Sequence, residues 1–287
     1  MESDIKISVV IPNYNHGTRL VSTINALKGQ VLPNGSIEII VVDNFSIDDS
    51  KRLSQHLNVS YLEVEFPKNP YACRNIGLKF ASGEYIALLD STCIPADNNY
   101  LYNLLKVIDD RGIGLSVGNI RFEMSEHPSI SEITSCLTFI PNRENRGDRF
   151  EYPGGSLFFP RSTLDKVGLF REDMRSGADY EWARRVFNAE IRTSYVDEAI
   201  VLYEAKSWVN LMRNGVRIGK GRRELCKSKD SPEFIKHFLR MRPPSPKYLN
   251  RIINDRGKPA YKKKFVQLIF SIWMYRIARE IGWFSNY

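Results

Sequence analysis

The sequence predicts an α/β fold with a mostly parallel sheet, and three buried strands carry this prediction. Predominantly apolar runs occupy residues 5–11, 37–42 and 85–89, and the first of them is rich in β-branched residues. Strands that are apolar throughout are typical of sheets covered on both faces. Helical segments of about ten residues separate the runs, and βαβ units produce this alternation.

Polar residues follow each of these strands directly. The three clusters are Pro12 to Asn15, Asp43 with Asn44, and Asp90 to Thr92. Because the carboxyl ends of parallel strands lie along one edge of a sheet, these residues are predicted to line a ligand crevice. For Asp90, the ordinary alternative is a strand-end residue that starts a turn. No Gly-x-Gly-x-x-Gly or Walker sequence follows the first strand, which disfavours the common dinucleotide and P-loop folds.

The other elements are predicted from their own patterns and flanking residues. Helices are expected at residues 18–28, with Thr18 or a neighbour as the cap, and at residues 46–56, 72–80 and 180–188. A further strand is expected at residues 59–64. Together these elements complete an alternating strand–helix order.

Charge divides the chain into an acidic body and a basic C-terminal region. Residues 206–287 contain 20 Lys and Arg against 5 Asp and Glu, whereas the rest contains 21 against 28. Basic regions of this kind favour polyanionic partners such as phosphorylated substrates or an anionic membrane. No zinc-finger, RNP or heptad pattern occurs, so nucleic acid is not an expected partner.

Neither membrane spans nor disulfides are expected. No window approaches the roughly 20 apolar residues that cross a bilayer, and the acidic N-terminus leads into a strand without a secretory signal. The four cysteines, Cys73, Cys93, Cys136 and Cys226, lack metal-ligand spacing. A reduced, cytoplasmic location is therefore the expectation.

Five motifs occur in order between residues 5 and 205: SVVIPNYN, EIIVVDNFSIDDS, ACRNIGLKFASGEYIALLDS, YPGGSLFFPRSTLDKVGLF and GADYEWARR. In this order and spacing they resemble family 2 glycosyltransferases. The resemblance implies the GT-A fold, a Rossmann-like and mostly parallel mixed sheet, as a catalytic domain over residues 1–205. Residues 206–287 would form a basic, mainly helical extension. Such enzymes move a sugar from a nucleotide diphosphate to an acceptor hydroxyl with inversion.

The resemblance also implies which residues bind the nucleotide sugar: Pro12, Tyr14, Asp43, Arg74, Asp90 and Ser91. Pro12 and Tyr14 would lie against the base and ribose, and Asp43 would accept a hydrogen bond from the base. Arg74 would lie near the ribose or the phosphates. The alternatives are a turn tyrosine, a helix-capping aspartate and a surface arginine.

Metal use is an open expectation, with Mg²⁺ or Mn²⁺ as the candidate ions. The family carries Asp-x-Asp after the strand at residues 85–89, but here the triplet is Asp90-Ser91-Thr92. Hard cations prefer carboxylate oxygens to a neutral hydroxyl. Many relatives add a downstream His, which residues 200–204 lack, leaving Glu204 as the alternative carboxylate.

The resemblance makes Asp179 the general base that activates the acceptor hydroxyl. The family's preceding Glu is Ala178 here. The alternative role of Asp179 is an N-cap of the helix that follows, where Arg184 or Arg185 could orient carboxylates by an ion pair. Gly154 and Gly155 resemble the small residues that let the acceptor approach the backbone, although a simple glycine turn would look the same.

Two features of the basic region suggest further contacts. Lys220, Arg222 and Arg223, flanked by glycines, are a candidate clamp for the diphosphate, with a solvated charge run as the alternative. Residues 261–283 place three lysines before an apolar helical stretch. Such a helix suits peripheral membrane contact at headgroup level, or packing on the catalytic domain or a dimer partner.

The leading interpretation is a cytoplasmic inverting glycosyltransferase that uses a nucleotide sugar such as a UDP-sugar. Its acceptor would be a glycan or lipid-linked intermediate in cell-surface polysaccharide or glycolipid synthesis. The alternative is a non-catalytic GT-A-like protein that binds a nucleotide or glycan, or acts as a scaffold. A nucleotidyltransferase is disfavoured because residues 12–17 contain no glycine-rich loop. The oligomeric state is left open.

Overall fold

The computed structural model describes residues 5–65, 69–139, 154–174, 176–226 and 240–285. These residues form two compact units. The first takes its residues from the ranges 1–121, 142–173 and 178–203, and the second from 122–141, 174–177 and 204–287.

The described strands form one eight-stranded sheet. They are β1 (Ile5–Asn13), β2 (Gly35–Asp43), β3 (Ser60–Glu63), β4 (Tyr85–Leu89), β5 (Cys93–Pro95), β6 (Leu115–Glu123), β7 (Ser156–Pro160) and β8 (Thr193–Glu204). Their spatial order is β3-β2-β1-β4-β7-β6-β8-β5. The first four strands in that order are parallel, whereas β7 runs antiparallel to β4 and β6, and β5 antiparallel to β8. The predicted mixed α/β fold is confirmed.

Helices accompany the sheet in the first unit. They are α1 (Gly17–Lys28), α2 (Ser50–Ser54), α3 (Pro70–Phe80), α4 (Tyr100–Arg111), α6 (Arg161–Val167) and α7 (Ala178–Asn188). Fully buried side chains of β1, α1 and α4, such as Ile11, Leu20 and Leu104, share one core with Phe158 of β7. Burial of this apolar surface fixes the strands, and with them the residues at the strand ends.

Some predicted element bounds differ from the structure. The first strand continues through Pro12 to Asn13, which lie opposite Val42 and Asp43 of β2, whereas β4 pairs only as far as Val10, so Pro12 has an unpaired side. The helix expected over residues 46–56 is limited to Ser50–Ser54. Helix α3 begins earlier than predicted, at Pro70, with its first amides bound by the Asn69 side chain.

The predicted local cap of α1 is wrong. His16 precedes the helix and its side chain makes no capping bond, whereas the Gly17 amide donates to Asp48 Oδ2 at 2.9 Å. Asp48 belongs to the loop before α2, so a residue distant in sequence satisfies the free helix terminus.

The second unit is helical, and one element of it matches the apolar stretch near the C-terminus. It contains α5 (Ile130–Thr138), α8 (Trp208–Cys226), α9 (Pro246–Arg256), a 3₁₀ turn (Pro259–Lys264) and α10 (Phe265–Phe284). Side chains of α5, α9 and α10 form its core, among them Leu137, Ile252 and Leu268. None of the described helices has the length and apolar composition needed to cross a membrane.

Helices α8 and α10 approach each other closely because glycines face the contact. A Cβ at Gly219 would overlap the carbonyl oxygen of Arg279, and a Cβ at Gly282 would overlap that of Val216. Gly221 lies equally close to the Ser176 backbone. The glycines beside the basic residues of α8 therefore serve helix packing.

Candidate active site

The ends of β1 and β2 meet in a polar cluster around Asp43. These strands pair in register, so that Asn13 lies opposite Asp43. The Asp43 carboxylate is 3% exposed and accepts hydrogen bonds from Asn13 Nδ2 at 2.8 Å, the Ser46 amide at 2.8 Å and Ser46 Oγ at 2.7 Å. Asp43 is thus held by its neighbours and does not cap a helix. Pro12 is half-buried within β1, while Tyr14 is 54% exposed beside it.

Asp90 follows β4 and pairs with an arginine from α3. Arg74 Nη2 donates to Asp90 Oδ1 at 2.5 Å, and the arginine side chain is 5% exposed while the carboxylate is 38% exposed. Burial lowers the pKa of a guanidinium, but Asp90, Tyr71 and Asp179 together outweigh it, so the pKa of Arg74 lies above its ordinary value. The alternative of a surface arginine is therefore wrong.

The same guanidinium reaches the loop before β7. Arg74 Nη2 also donates to the carbonyl oxygen of Gly154 at 2.9 Å. A Cβ at Gly154 would lie 2.8 Å from Arg74 Nη1, and one at Gly155 would lie 3.3 Å from Asp90 Oδ2. Glycine at these two positions leaves room for the Arg74 and Asp90 side chains. This close approach explains the two glycines more specifically than a simple glycine turn does.

Asp179 lies in the first turn of α7, and its carboxylate is directed away from that helix. Oδ1 accepts a hydrogen bond from the Tyr71 hydroxyl at 2.9 Å, and Oδ2 accepts one from the Gly154 amide at 2.9 Å. Both oxygens are therefore used by other elements, and the N-cap alternative does not describe this residue. Tyr71 was not predicted from the sequence.

Stacked aromatic rings hold Tyr71 in place. Its ring lies 6.1 Å from Phe170 and 5.4 Å from the Arg74 guanidinium carbon, and Phe170 stacks on Trp182 of α7 at 5.1 Å. Asn75 of α3 binds both the amide and the carbonyl oxygen of Phe170. The helix that carries Arg74 and the helix that carries Asp179 are thus packed through one aromatic ladder.

The predicted ion pair in α7 forms between Arg185 and Glu181, a carboxylate of the same helix. Arg185 Nε donates to Glu181 Oε1 at 3.1 Å, and the Arg185 guanidinium also donates to the carbonyl oxygens of Val167 and Leu169. This group fixes the start of the helix against the preceding segment. Arg184 is exposed.

The described residues supply one carboxylate, Asp90, at the expected metal position. Ser91 is buried, and its carbonyl oxygen accepts a hydrogen bond from Thr23 Oγ1 at 3.0 Å. Glu204 is the exposed last residue of β8. Within the described part of the chain, no three His, Cys, Asp or Glu side chains come together in a way that could hold a metal ion. A divalent cation at Asp90 would need most of its ligands from the donor diphosphate and water.

The candidate clamp residues Lys220, Arg222 and Arg223 lie on α8. The glycines around them pack against other backbone segments. Arg223 Nη1 donates to the Trp283 carbonyl oxygen at 3.2 Å, which gives this residue a structural contact.

The site therefore joins two carboxylates through one buried arginine. Asp90 contacts Arg74, Arg74 contacts Gly154, and Gly154 contacts Asp179, while Tyr71 closes the set by contacting both Arg74 and Asp179. The resemblance to family 2 glycosyltransferases places the donor site at Asp90 and the general base at Asp179, the two carboxylates that these contacts join.

Comparison with known proteins identifies the family. Glycosyl transferase family 2 matches residues 8–168, more than half of the chain, so the chain belongs to this family and is a glycosyltransferase. A relative, glycosyltransferase AglE of Haloferax volcanii, is 26% identical over 288 residues, covering 96% of this chain and 94% of its own.

Solved structures agree on the fold. TarS of S. aureus (residues 1–349), in complex with UDP-GlcNAc, aligns with a TM-score of 0.57 and 17% identity over 97% of this chain and 89% of its own. Mannosyltransferase PcManGT from Pyrobaculum calidifontis, in complex with GDP-Man and Mn²⁺, aligns with a TM-score of 0.56 and 16% identity over 95% of this chain and 73% of its own. At such identities the likeness concerns the GT-A fold.

Proposed function

We propose that this glycosyltransferase moves a sugar from a nucleotide diphosphate donor, with UDP-sugars as the leading class, to an acceptor hydroxyl with inversion. The observation that carries the proposal is the Asp179 carboxylate, held by Tyr71 and Gly154 and linked through Arg74 to Asp90. Asp179 would take the proton of the acceptor hydroxyl as its oxygen attacks the anomeric carbon and the nucleoside diphosphate departs.

The donor would bind along the strand ends. Tyr14 offers an exposed aromatic face to the base. Asn13 Oδ1 is a buried acceptor with no partner among the described residues, and it lies beside Asp43, so both can face donors on the base. Pro12 would lie against the base and ribose, while Ser91 and Asp90 would lie towards the ribose and diphosphate. TarS and PcManGT, solved with UDP-GlcNAc and GDP-Man, support a nucleotide-sugar donor.

Arg74 would act through Asp90 and Gly154, because its own side chain is 5% exposed. It holds the Asp90 carboxylate at the crevice and the glycine backbone beside Asp179. Gly154 and Gly155 would let the acceptor approach the backbone between the two carboxylates. Donor and acceptor groups are thereby oriented by one rigid set of contacts.

A divalent cation, if used, would arrive with the donor. Asp90 is then the protein ligand, with Glu204 as a second candidate, and Mg²⁺ or Mn²⁺ would neutralise charge on the diphosphate. The complex of PcManGT with Mn²⁺ supports this possibility.

We propose Arg222 as the main clamp residue for the diphosphate, supported by Lys220 and Arg223. Burial and the neighbouring Arg222 lower the pKa of Arg279 to about 10, and an anion would relieve this crowding of positive charge.

The acceptor is proposed to be a membrane-linked glycan or lipid-linked intermediate of cell-surface polysaccharide or glycolipid synthesis. Residues 206–287 contain 20 basic and 5 acidic residues, and this excess of positive charge supports the proposal that residues 261–283 hold the enzyme at the inner face of an anionic membrane.

A non-catalytic GT-A-like protein that binds a nucleotide or glycan, or acts as a scaffold, is the second candidate. Ala178 and Thr92, which replace acidic residues of the family motifs, favour it.

Donor hydrolysis and transfer over a panel of nucleotide sugars test these proposals. We expect turnover of one donor class, with arms in Mg²⁺, Mn²⁺ and EDTA deciding whether a cation is required. Arg222→Ala should weaken donor binding at least severalfold, and an unchanged affinity would remove the clamp role. Donor binding without hydrolysis, and without transfer to acceptors used by relatives, would favour the non-catalytic candidate.

Tyr71→Phe should lower kcat about tenfold and leave the KM for the donor unchanged, because the lost hydrogen bond positions Asp179. Tyr85→Phe is the matched control. It removes a phenol hydrogen bond of 3.0 Å to Asp109, which lies outside the site, and should leave both constants unchanged. Equal kcat in wild type and Tyr71→Phe would show that the phenol is dispensable for catalysis.

A further inference from the structure

An apolar band runs along one side of α10, and four of its six side chains are exposed, while the Trp273 indole N–H donates to the Met241 carbonyl oxygen. Six side chains form the band, and we call them the α10 stripe: Val266, Phe270, Trp273, Ile277, Ile281 and Phe284. Val266, Phe270, Ile281 and Phe284 are 79, 56, 52 and 38% exposed, and the other two are partly buried. At 3.6 residues per turn the six positions fall within an arc of about 80° and extend over about 27 Å.

The α10 stripe is not the face that holds the helix in its unit. The helix packs into its unit through the opposite side, on which Leu268, Ile272, Tyr275 and Ala278 are buried. Most surface helices place charged residues opposite their buried face. A continuous apolar band of this length on solvent is therefore a sign of an interaction surface.

The charged residues around the α10 stripe indicate which kind of partner it could bind. Lys262 and Lys263 are exposed immediately before α10, and Lys264 Nζ donates to the Pro128 carbonyl oxygen. The single acid between residues 259 and 285 is Glu280, which is 2% exposed. This segment thus presents apolar and cationic groups to solvent, without an exposed carboxylate.

We propose that the α10 stripe docks on an anionic membrane surface. The apolar side chains would enter the boundary between headgroups and acyl chains, and Lys262 and Lys263 would lie at the lipid phosphates. The proposal deepens the proposed function, since it explains how an enzyme with a membrane-linked acceptor is held near it. Docking itself requires no sugar transfer, so the two can fail separately.

Vesicle flotation of the full chain tests this surface. We expect the protein to float with vesicles that contain phosphatidylglycerol and to remain largely soluble with phosphatidylcholine alone, with the difference shrinking at high salt. The double variant Phe270→Ser, Ile281→Ser should lower the bound fraction at least tenfold. The double variant Lys262→Gln, Lys263→Gln should lower binding to anionic vesicles about fivefold for each lysine removed.

Phe80→Ser is the control, because Phe80 is 63% exposed on α3 of the first unit and should leave flotation unchanged. Donor hydrolysis in solution reports on folding and on the proposed function in the same preparations. Lost flotation with intact hydrolysis supports docking. Equal soluble fractions for wild type and both double variants would overturn the proposal. A wild-type dimer that Phe270→Ser, Ile281→Ser converts to a monomer would instead assign the stripe to a second copy of the chain.

Discussion

Replacing Asp179 with Asn is expected to lower kcat by about 10²–10⁴-fold, the usual contribution of a general base. The amide cannot take a proton from the acceptor hydroxyl. Its oxygen can still accept a hydrogen bond from Tyr71 or Gly154, so the local structure should persist. Donor affinity, measured by calorimetry, should therefore remain close to that of the wild type.

Asp173→Asn provides the control for this experiment. Asp173 is an exposed aspartate that pairs with Arg171 on the surface, and the same substitution there should not change turnover. A kcat for Asp179→Asn within a factor of three of the wild type would remove Asp179 from the mechanism. Loss of donor affinity together with the rate would point to misfolding of α7, which circular dichroism would detect.

Arg74→Met is expected to have the largest effect on stability. It leaves Asp90 without its partner and removes the donor to the Gly154 carbonyl oxygen. Breaking a buried ion pair costs about 3–5 kcal/mol, and we expect about 3 kcal/mol in the free energy of unfolding because Asp90 is 38% exposed to water. Activity should also fall, since both carboxylates depend on this arginine for their position.

A double-mutant cycle isolates the ion pair within that loss. Adding Asp90→Asn to Arg74→Met should recover a measurable part of the stability in urea unfolding, because the isolated charge is removed. Arg171→Met, which breaks an exposed pair, should change stability by less than about 1 kcal/mol. Additive effects of Arg74→Met and Asp90→Asn would contradict the importance of their contact.

The strands and their polar ends could be predicted because they depend on local sequence. The apolar runs that became β1, β2 and β4 have a clear pattern, and each stops at residues that water or a ligand can solvate. Parallel pairing then brings Asn13 beside Asp43. Asp90 was placed at the crevice by the end of its strand, whereas the family motifs added Arg74 and Asp179, which no periodicity singles out.

The contacts that organise the site could not be predicted because they join residues distant in sequence. Tyr71 precedes Arg74 by three residues, yet its hydrogen bond to Asp179 crosses 108 positions. The capping of α1 by Asp48 was not predicted for the same reason, since the donor and the acceptor come from different elements. The signal that could have revealed Tyr71 was its position one turn before an arginine of the motif.

The placement of Tyr71, Arg74 and Asn75 on one short helix has a consequence for engineering this enzyme. Helix α3 contacts three parts of the site: the Asp90 carboxylate, the Asp179 carboxylate and the aromatic ladder between them. If Asp90 faces the donor and Asp179 the acceptor, as proposed, substitutions in α3 are expected to alter the preference for both substrates together. Substitutions at the strand ends around Tyr14 are expected to alter the preference for the nucleotide alone.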